Sequence, residues 1–178
     1  MADPSEARIV VTDANVLINL IHVGRLGLLG TLPGYRFVVP PEVEAEVSAP
    51  EQAEALARGF DAGHIDRISF SGTEELKVYA ELVQTVGKGE AACLAMAQVR
   101  GWYVASDERR RFLRLARGRV GPGRVLNTAG IFVLAIRAGP LTVAEADQHK
   151  RTLEEHRFKM RFSSFRDVLG TVFGEPEE

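Results

Sequence analysis

Short β-branched runs alternate along this chain with stretches whose apolar residues recur at helical spacing. RIVVT, from Arg8 to Thr12, has the pattern of a buried strand. It is followed by Val16, Leu17, Leu20 and Ile21, which share one face of a helix expected over Asp13 to Val23. Tyr35 to Val39 repeats the strand pattern and is closed by Pro40-Pro41, after which Val43 and Val47 mark a short helix that continues into the Ala-rich residues 50–60. Asp66 to Phe70 is a weaker strand pattern. A helix is expected from Thr73 on periodicity, Gly87 to Gly89 breaks it, and EAACLAMAQVR resumes it in the best of the helix formers. Trp102 to Ala105 is expected as a strand, Asp107 to Arg117 as a helix, and Gly-Pro-Gly at 121–123 as a loop. A last strand over Arg124 to Leu126 then precedes an apolar helix from Thr128 to Arg137 and a polar one from Val143 to His156. Beyond it, Phe158, Phe162, Phe165, Leu169 and Val172 would form one apolar stripe on a helix, although Ser163 and Ser164 interrupt the pattern. Left bare, such a stripe would be a sticky patch, so it is expected to be buried against the chain's own domain, a second subunit or a small partner.

Strands separated by helices of crossover length imply an α/β fold with a parallel sheet, helices packing on its faces. In such a sheet ligands bind beyond the carboxyl ends of the strands, so the residues that follow each strand carry the functional interest.

Composition narrows the field. With 178 residues, 46% of them hydrophobic, the chain can bury a full core as one main domain, expected over residues 1–145 with a helical extension over 146–178. The single cysteine, Cys93, excludes an internal disulfide and a cysteine zinc site, and fits a reducing, cytoplasmic setting. No apolar stretch approaches the roughly 18 residues that would span a bilayer, and the polar start MADPSEAR is unlike a signal peptide, so no membrane association is expected. A net charge of -2 argues at first against a nucleic-acid partner. The distribution reverses that argument. Arg109, Arg110, Arg111, Arg114, Arg117, Arg119 and Arg124 occupy a segment with no acid in it, which leaves the rest of the chain distinctly acidic. The run is either a solvated helix face or a phosphate-binding surface.

Four acids stand where the strand rim or a helix start would place them. Asp13 directly follows the first strand, and Asp107 stands two residues after WYVA. Each would also serve as a helix N-cap. Glu90 opens the Ala-rich helix, where a negative charge complements the dipole. Glu46 shares its short helix with Glu42 and Glu44, and each has the alternative of an ordinary solvated position. Carboxylates without cysteine or paired histidine suit hard ions such as Mg²⁺ or Mn²⁺ rather than zinc, and such ions assist phosphodiester hydrolysis. His22, His64, His149 and His156 show no ligand spacing, and Gly87-Lys88-Gly89 lacks the pattern of a phosphate-binding loop.

In order along the chain, DANVLINL, VPPEVEAEV, GKGEAACLAMA and VASDERRRF resemble the four acidic motifs of PIN-domain nucleases, most closely the subgroup with a Gly-x-Gly-Glu third motif. The resemblance spans about Ile9 to Leu141. It implies a three-layer α/β/α sandwich around a mainly parallel sheet, with Asp13, Glu46, Glu90 and Asp107 as catalytic and metal-holding acids. Asn15 and Ser106 would support them, and Mg²⁺ or Mn²⁺ would be the cofactor. It further implies an endoribonuclease of the kind found as the toxin of toxin-antitoxin pairs, homodimeric and restrained by a small antitoxin, with Arg109, Arg110 and Arg117 holding RNA. The alternative is a PIN-like fold kept as a non-catalytic RNA-binding or protein-interaction module. Two departures stand out: the third acid is Glu where many relatives have Asp, and Asp107 is followed at once by Glu108 and the arginine run.

Overall fold

A computed structural model of the chain describes residues 7–170. Val172 and residues 1–6 lie outside them.

Five strands form one all-parallel sheet in the order β3-β2-β1-β4-β5: β1 (Arg8–Thr12), β2 (Tyr35–Val39), β3 (Asp66–Arg67), β4 (Tyr103–Ala105) and β5 (Val125–Leu126). β1 is central, with Val11 opposite Val38 on one side and Val104 on the other, and both Val10 and Val11 are fully buried. The chain runs outward from β1 through β2 to β3, then crosses to β4 and β5 on the other side of β1. Right-handed crossovers therefore place the helices that connect β1 to β3 and those that connect β3 to β5 on opposite faces, and the chain after β5 returns to the first face. One layer contains α1 (Ala14–His22), α3 (Pro50–Asp61), α7 (Thr128–Ala138) and α8 (Val143–Glu155), joined through α1. The other contains α4 (Thr73–Leu82), α5 (Lys88–Arg100) and α6 (Arg111–Val120), and short α2 (Pro41–Glu46) bridges α1 and α5 at the rim. The architecture is the expected α/β/α sandwich.

Helix α5 explains why the third motif is rich in alanine. Its residues from Ala91 to Ala97 are completely buried, between β1 and β4 on one side and α4 and α6 on the other. Small side chains let it lie close to the sheet. Gly101, at φ 69°, ends the helix in the left-handed conformation that favours glycine, and the Trp102 N–H donates to the Ala97 carbonyl (2.9 Å).

Three expectations are corrected. The helix expected over Asp107 to Arg117 is α6, which starts at Arg111 and runs to Val120. The backbone just after β4 is instead held by side chains, the Asp107 N–H donating to Asn15 Oδ1 (3.1 Å) and the Glu108 N–H to Ser106 Oγ (3.2 Å). Arg110, at φ 37°, cannot be part of a right-handed helix. The strand expected over Asp66 to Phe70 is paired only at Asp66–Arg67. The C-terminal stripe is not a continuous helix. Arg157, at φ 65°, turns the chain out of α8, and residues 157–164 form an irregular strap ending in a 3-10 turn, Phe165–Val168. Its aromatic residues still pack inward. Phe165 is fully buried with its ring centroid 5.6 Å from that of Phe132, and Phe158 and Phe162 lie against the same continuous core. Helix α8 itself runs across residue 145 and contributes Ala146 and Leu153 to that core. Among the described residues, no helix is long and apolar enough to cross a membrane.

Candidate active site

The strand order reverses between β1 and β4, and the crevice beyond their carboxyl ends is where an open α/β sheet offers a site. Asp13 leaves β1 there, and Ser106, Asp107 and Glu108 leave β4. The side chain of Asp13 is 3% exposed. Its Oδ1 accepts from the Ala14 N–H (2.8 Å) as α1 begins, and its Oδ2 accepts from Ser106 Oγ (3.2 Å). Asp13 is therefore a helix cap and a cavity-facing acid together.

A cavity of about 280 Å³ opens in front of it, lined by Asp13, Ala14, Asn15, Ile18, Glu46, Gly87, Glu90 and Glu108. Four carboxylates from four separate segments share it, and no lysine or arginine lines it. Glu46, at the end of α2, is aimed by the start of α5, since its Oε1 accepts the Gly89 N–H (2.9 Å). That approach requires glycine, because a Cβ at position 89 would stand 2.6 Å from Glu46 Oε1. Of the two acids that compete with Glu46 on α2, Glu44 is bound to Arg67 (2.9 Å), and Glu42 does not line the cavity. Asn15 holds the fourth wall by donating from Nδ2 to Glu108 Oε1 (3.2 Å).

Electrostatics records the crowding. The Asp13 carboxyl is raised from near 3.8 to about 7, by burial first and then by the charges of Glu90 and Glu46, against the opposing bonds from Ala14 and Ser106. Glu90 is also raised, by burial first and then by Glu108 and Glu46, against a bond from the Gly87 backbone. Cys93 lies fully buried near these acids, and burial together with their charge pushes its thiol well up, which removes it as a nucleophile.

Asp107 occupies a different place. Its carboxylate accepts from the Thr128 N–H (2.8 Å), the Thr128 hydroxyl (2.5 Å) and Asn19 Nδ2 (2.8 Å), and it is absent from the cavity wall. It ties the end of β4 to the start of α7 and to α1, and burial raises its pKa despite those bonds. Glu108, one residue on, faces the cavity instead. Sequence reasoning missed Glu108, Asn19, Thr128 and Gly89 as participants. Asn19 carried a signal, a polar residue on the apolar face of α1 one turn beyond Asn15. Among the described residues, no group of three or more His, Cys, Asp or Glu side chains converges closely enough to hold an ion as it stands.

The basic residues divide by position. Arg109 and Arg110 are exposed at the mouth of α6, and the Arg109 Nη2 donates to the Lys159 carbonyl (3.0 Å). Arg117 is half-buried with its Nε enclosed, and it lines neither this cavity nor a neighbouring one of about 360 Å³ that is lined in part by Arg109 and Arg111.

A search of curated proteins finds no significant match. A family model described as a PIN domain matches residues 9–163, a span that takes in every acid of the cavity and the strap to Ser163. That family has a nuclease-type fold and generally acts with divalent metal ions. With the match covering most of its length, the chain belongs to the PIN-domain family.

Proposed function

We propose that this protein is a metal-dependent endoribonuclease, with Asp13, Glu46, Glu90 and Glu108 facing the metal and the scissile phosphate. The observation that carries the reading is the convergence of these four acids on one cavity without a lining cation. The residues suit Mg²⁺ or Mn²⁺ because every side-chain donor is oxygen, and a cation would favour the ionised form of Asp13, whose pKa is raised to about 7 by burial first and then by Glu90 and Glu46. When bound, the ion supplies positive charge at the phosphate and lowers the pKa of water. The chain's own residues hold and orient: Gly89 aims Glu46, Asn15 aims Glu108, and Ser106 and Ala14 fix the two oxygens of Asp13. Asp107 is assigned a positioning role, locking the β4 exit so that Glu108 can reach the cavity. Arg109 and Arg110, with Arg111, are assigned to the RNA backbone, whereas the half-buried Arg117 has a smaller share.

The size and family of the chain support a cytoplasmic toxin of a toxin-antitoxin pair, homodimeric and held inactive by a small antitoxin. One observation favours the alternative of a non-catalytic RNA-binding or protein-interaction module: the acids do not form a closed ion-binding group as they stand. Cleavage of single-stranded RNA by the purified full chain distinguishes the two. Cutting that needs Mn²⁺ or Mg²⁺, stops in EDTA and vanishes in Asp13→Asn supports the nuclease; binding without metal-dependent cutting supports the module.

A further inference from the structure

The strap after α8 has a pattern that its aromatic residues do not explain. Arg157, Lys159 and Arg161 are exposed, while Phe158, Met160 and Phe162 between them turn inward onto the core. The alternation leaves three cations exposed at every second position of the irregular strap, while the residues between them pack on the core. The segment is well anchored. Ser164 Oγ and the Phe165 N–H both donate to Asp147 of α8 (2.7 and 2.8 Å), and Phe162 packs edge-on against Phe165 (4.9 Å).

The strap also touches the active rim. Arg109 donates one N–H to the Lys159 carbonyl, which joins the strap to the loop that follows β4. Four of the five guanidinium N–H groups remain for another acceptor. Arg109 and Arg111 in turn line the cavity of about 360 Å³, which shares Gly87, Glu90 and Glu108 with the acidic cavity and has Val83, Val86 and Phe112 as apolar wall. Some exposed cations elsewhere on the protein, such as Arg36, Arg58 and Arg67, are paired with acids, while others, such as Lys88, Arg114 and Arg151, stand singly without an ion pair among the described residues. Among the described residues, the side chains of Arg157, Lys159 and Arg161 form no ion pair. A row of unpaired cations joined through Arg109 to a cavity of about 360 Å³ fits an external polyanion.

We infer that the strap over residues 157–161 is the outer part of a single-stranded RNA track. The strand leaves the acidic cavity, lays one nucleoside in the cavity of Arg111 and Phe112, and runs its phosphates past Arg109 onto Lys159 and its neighbours. The inference rests on the proposed nuclease reading for its direction along the strand, and its test separates the two.

The experiment measures binding of labelled polyuridine by the full chain in EDTA, where no cutting occurs, across a salt series. One strand is a trinucleotide and the other has roughly 12 nucleotides, within the usual span of a single-strand track. In the combined variant Arg157→Gln, Lys159→Gln, Arg161→Gln, the slope of log affinity against log salt for the longer strand falls by roughly 2, since each lost contact on a single strand removes about 0.7. The trinucleotide, too short to reach the strap, keeps its slope, and so does either strand with Arg36→Gln, Arg58→Gln. An unchanged slope for the longer strand overturns the track and leaves the surface to a protein partner. Equal losses for both strands overturn it too, as a general charge effect. Metal-dependent cleavage by the unmodified protein is scored separately: cutting without a strap effect sinks the track alone, and a strap effect without cutting sinks the nuclease reading while the track stands.

Discussion

Replacing Asp13 by Asn tests the electrostatics of the site without disturbing its shape. The amide oxygen can still accept from Ala14, and the amide nitrogen can donate to Ser106 Oγ where the carboxylate accepted from it. In the folded protein the Asp13 carboxyl sits at about 7, against about 3.8 when unhindered. A raised pKa stabilises the fold while the group is protonated. The contribution is complete below the unfolded value, declines as pH rises from about 4, and is lost once pH passes about 7. Each pKa unit corresponds to about 1.4 kcal/mol, so ionised Asp13 costs roughly 4 kcal/mol at pH 8.5 relative to pH 4. Because the residue is 3% exposed, screening by solvent removes little of this, although water entry and movement of Glu90 relieve part of it. Asp13→Asn lacks the penalty. Its advantage in melting temperature over the unmodified protein is expected to grow from near zero at pH 4 to several degrees at pH 8.5, with about 2–4 °C for each kcal/mol in a chain of this size as the scale. Scanning calorimetry in EDTA at a series of pH values measures it. Adding Mn²⁺ at a hundredfold excess over its Kd should then raise the unmodified protein by about 2.7 kcal/mol and the variant by less. Melting curves that stay parallel from pH 4 to pH 8.5 would refute the reasoning, since they would mean that Asp13 is ionised at no cost.

Gly89→Ala places a methyl 2.6 Å from Glu46 Oε1 and must displace that carboxylate; RNA cleavage should fall on the order of 100-fold while the melting temperature, a stability change within about 1 kcal/mol, hardly moves. Kinetics and melting on one preparation check both halves. Asp107→Ala strands three donors, from Thr128 and Asn19, and should cost about 3 kcal/mol in urea unfolding, whereas Glu108→Gln should change stability by less than about 0.5 kcal/mol and weaken Mn²⁺ binding, measured by calorimetric titration. The reverse pattern, with Asp107 silent in stability and Glu108 silent in metal affinity, would exchange their roles.

Much of this was legible from residue order. Apolar runs at periods of two and 3.6 identify β1, β2, α1, α5 and α7 because each buries one face or all of its surface in a single core, and a buried face leaves its period in the chain. The position of Asp13 at the rim follows from a parallel sheet alone. Less was legible where local pattern and tertiary contact compete. The arginine run promised helix from Asp107, but Asn15, Asn19 and Thr128, brought to this residue only through the pairing of β1 and β5 with β4, bind its N–H and its carboxylate and hold the backbone after β4 out of the helix until Arg111. The C-terminal aromatic residues promised a helical stripe, yet the left-handed turn at Arg157 delivers the same side chains to the core from irregular backbone.

The sequence by itself determined the strands and helices, their parallel arrangement and the set of acids from which a site could be made. Which acids meet was decided only by the fold. Asp107 and Glu108 are adjacent in the chain, and nothing local distinguishes them; the hydroxyl and N–H of Thr128, brought alongside by the pairing of β4 with β5, claim the first and leave the second to the cavity. The raised pKa of Asp13 is likewise a tertiary property, since desolvation and the charges of Glu90 and Glu46 act through space, and their strength depends on distances that no spacing along the chain encodes.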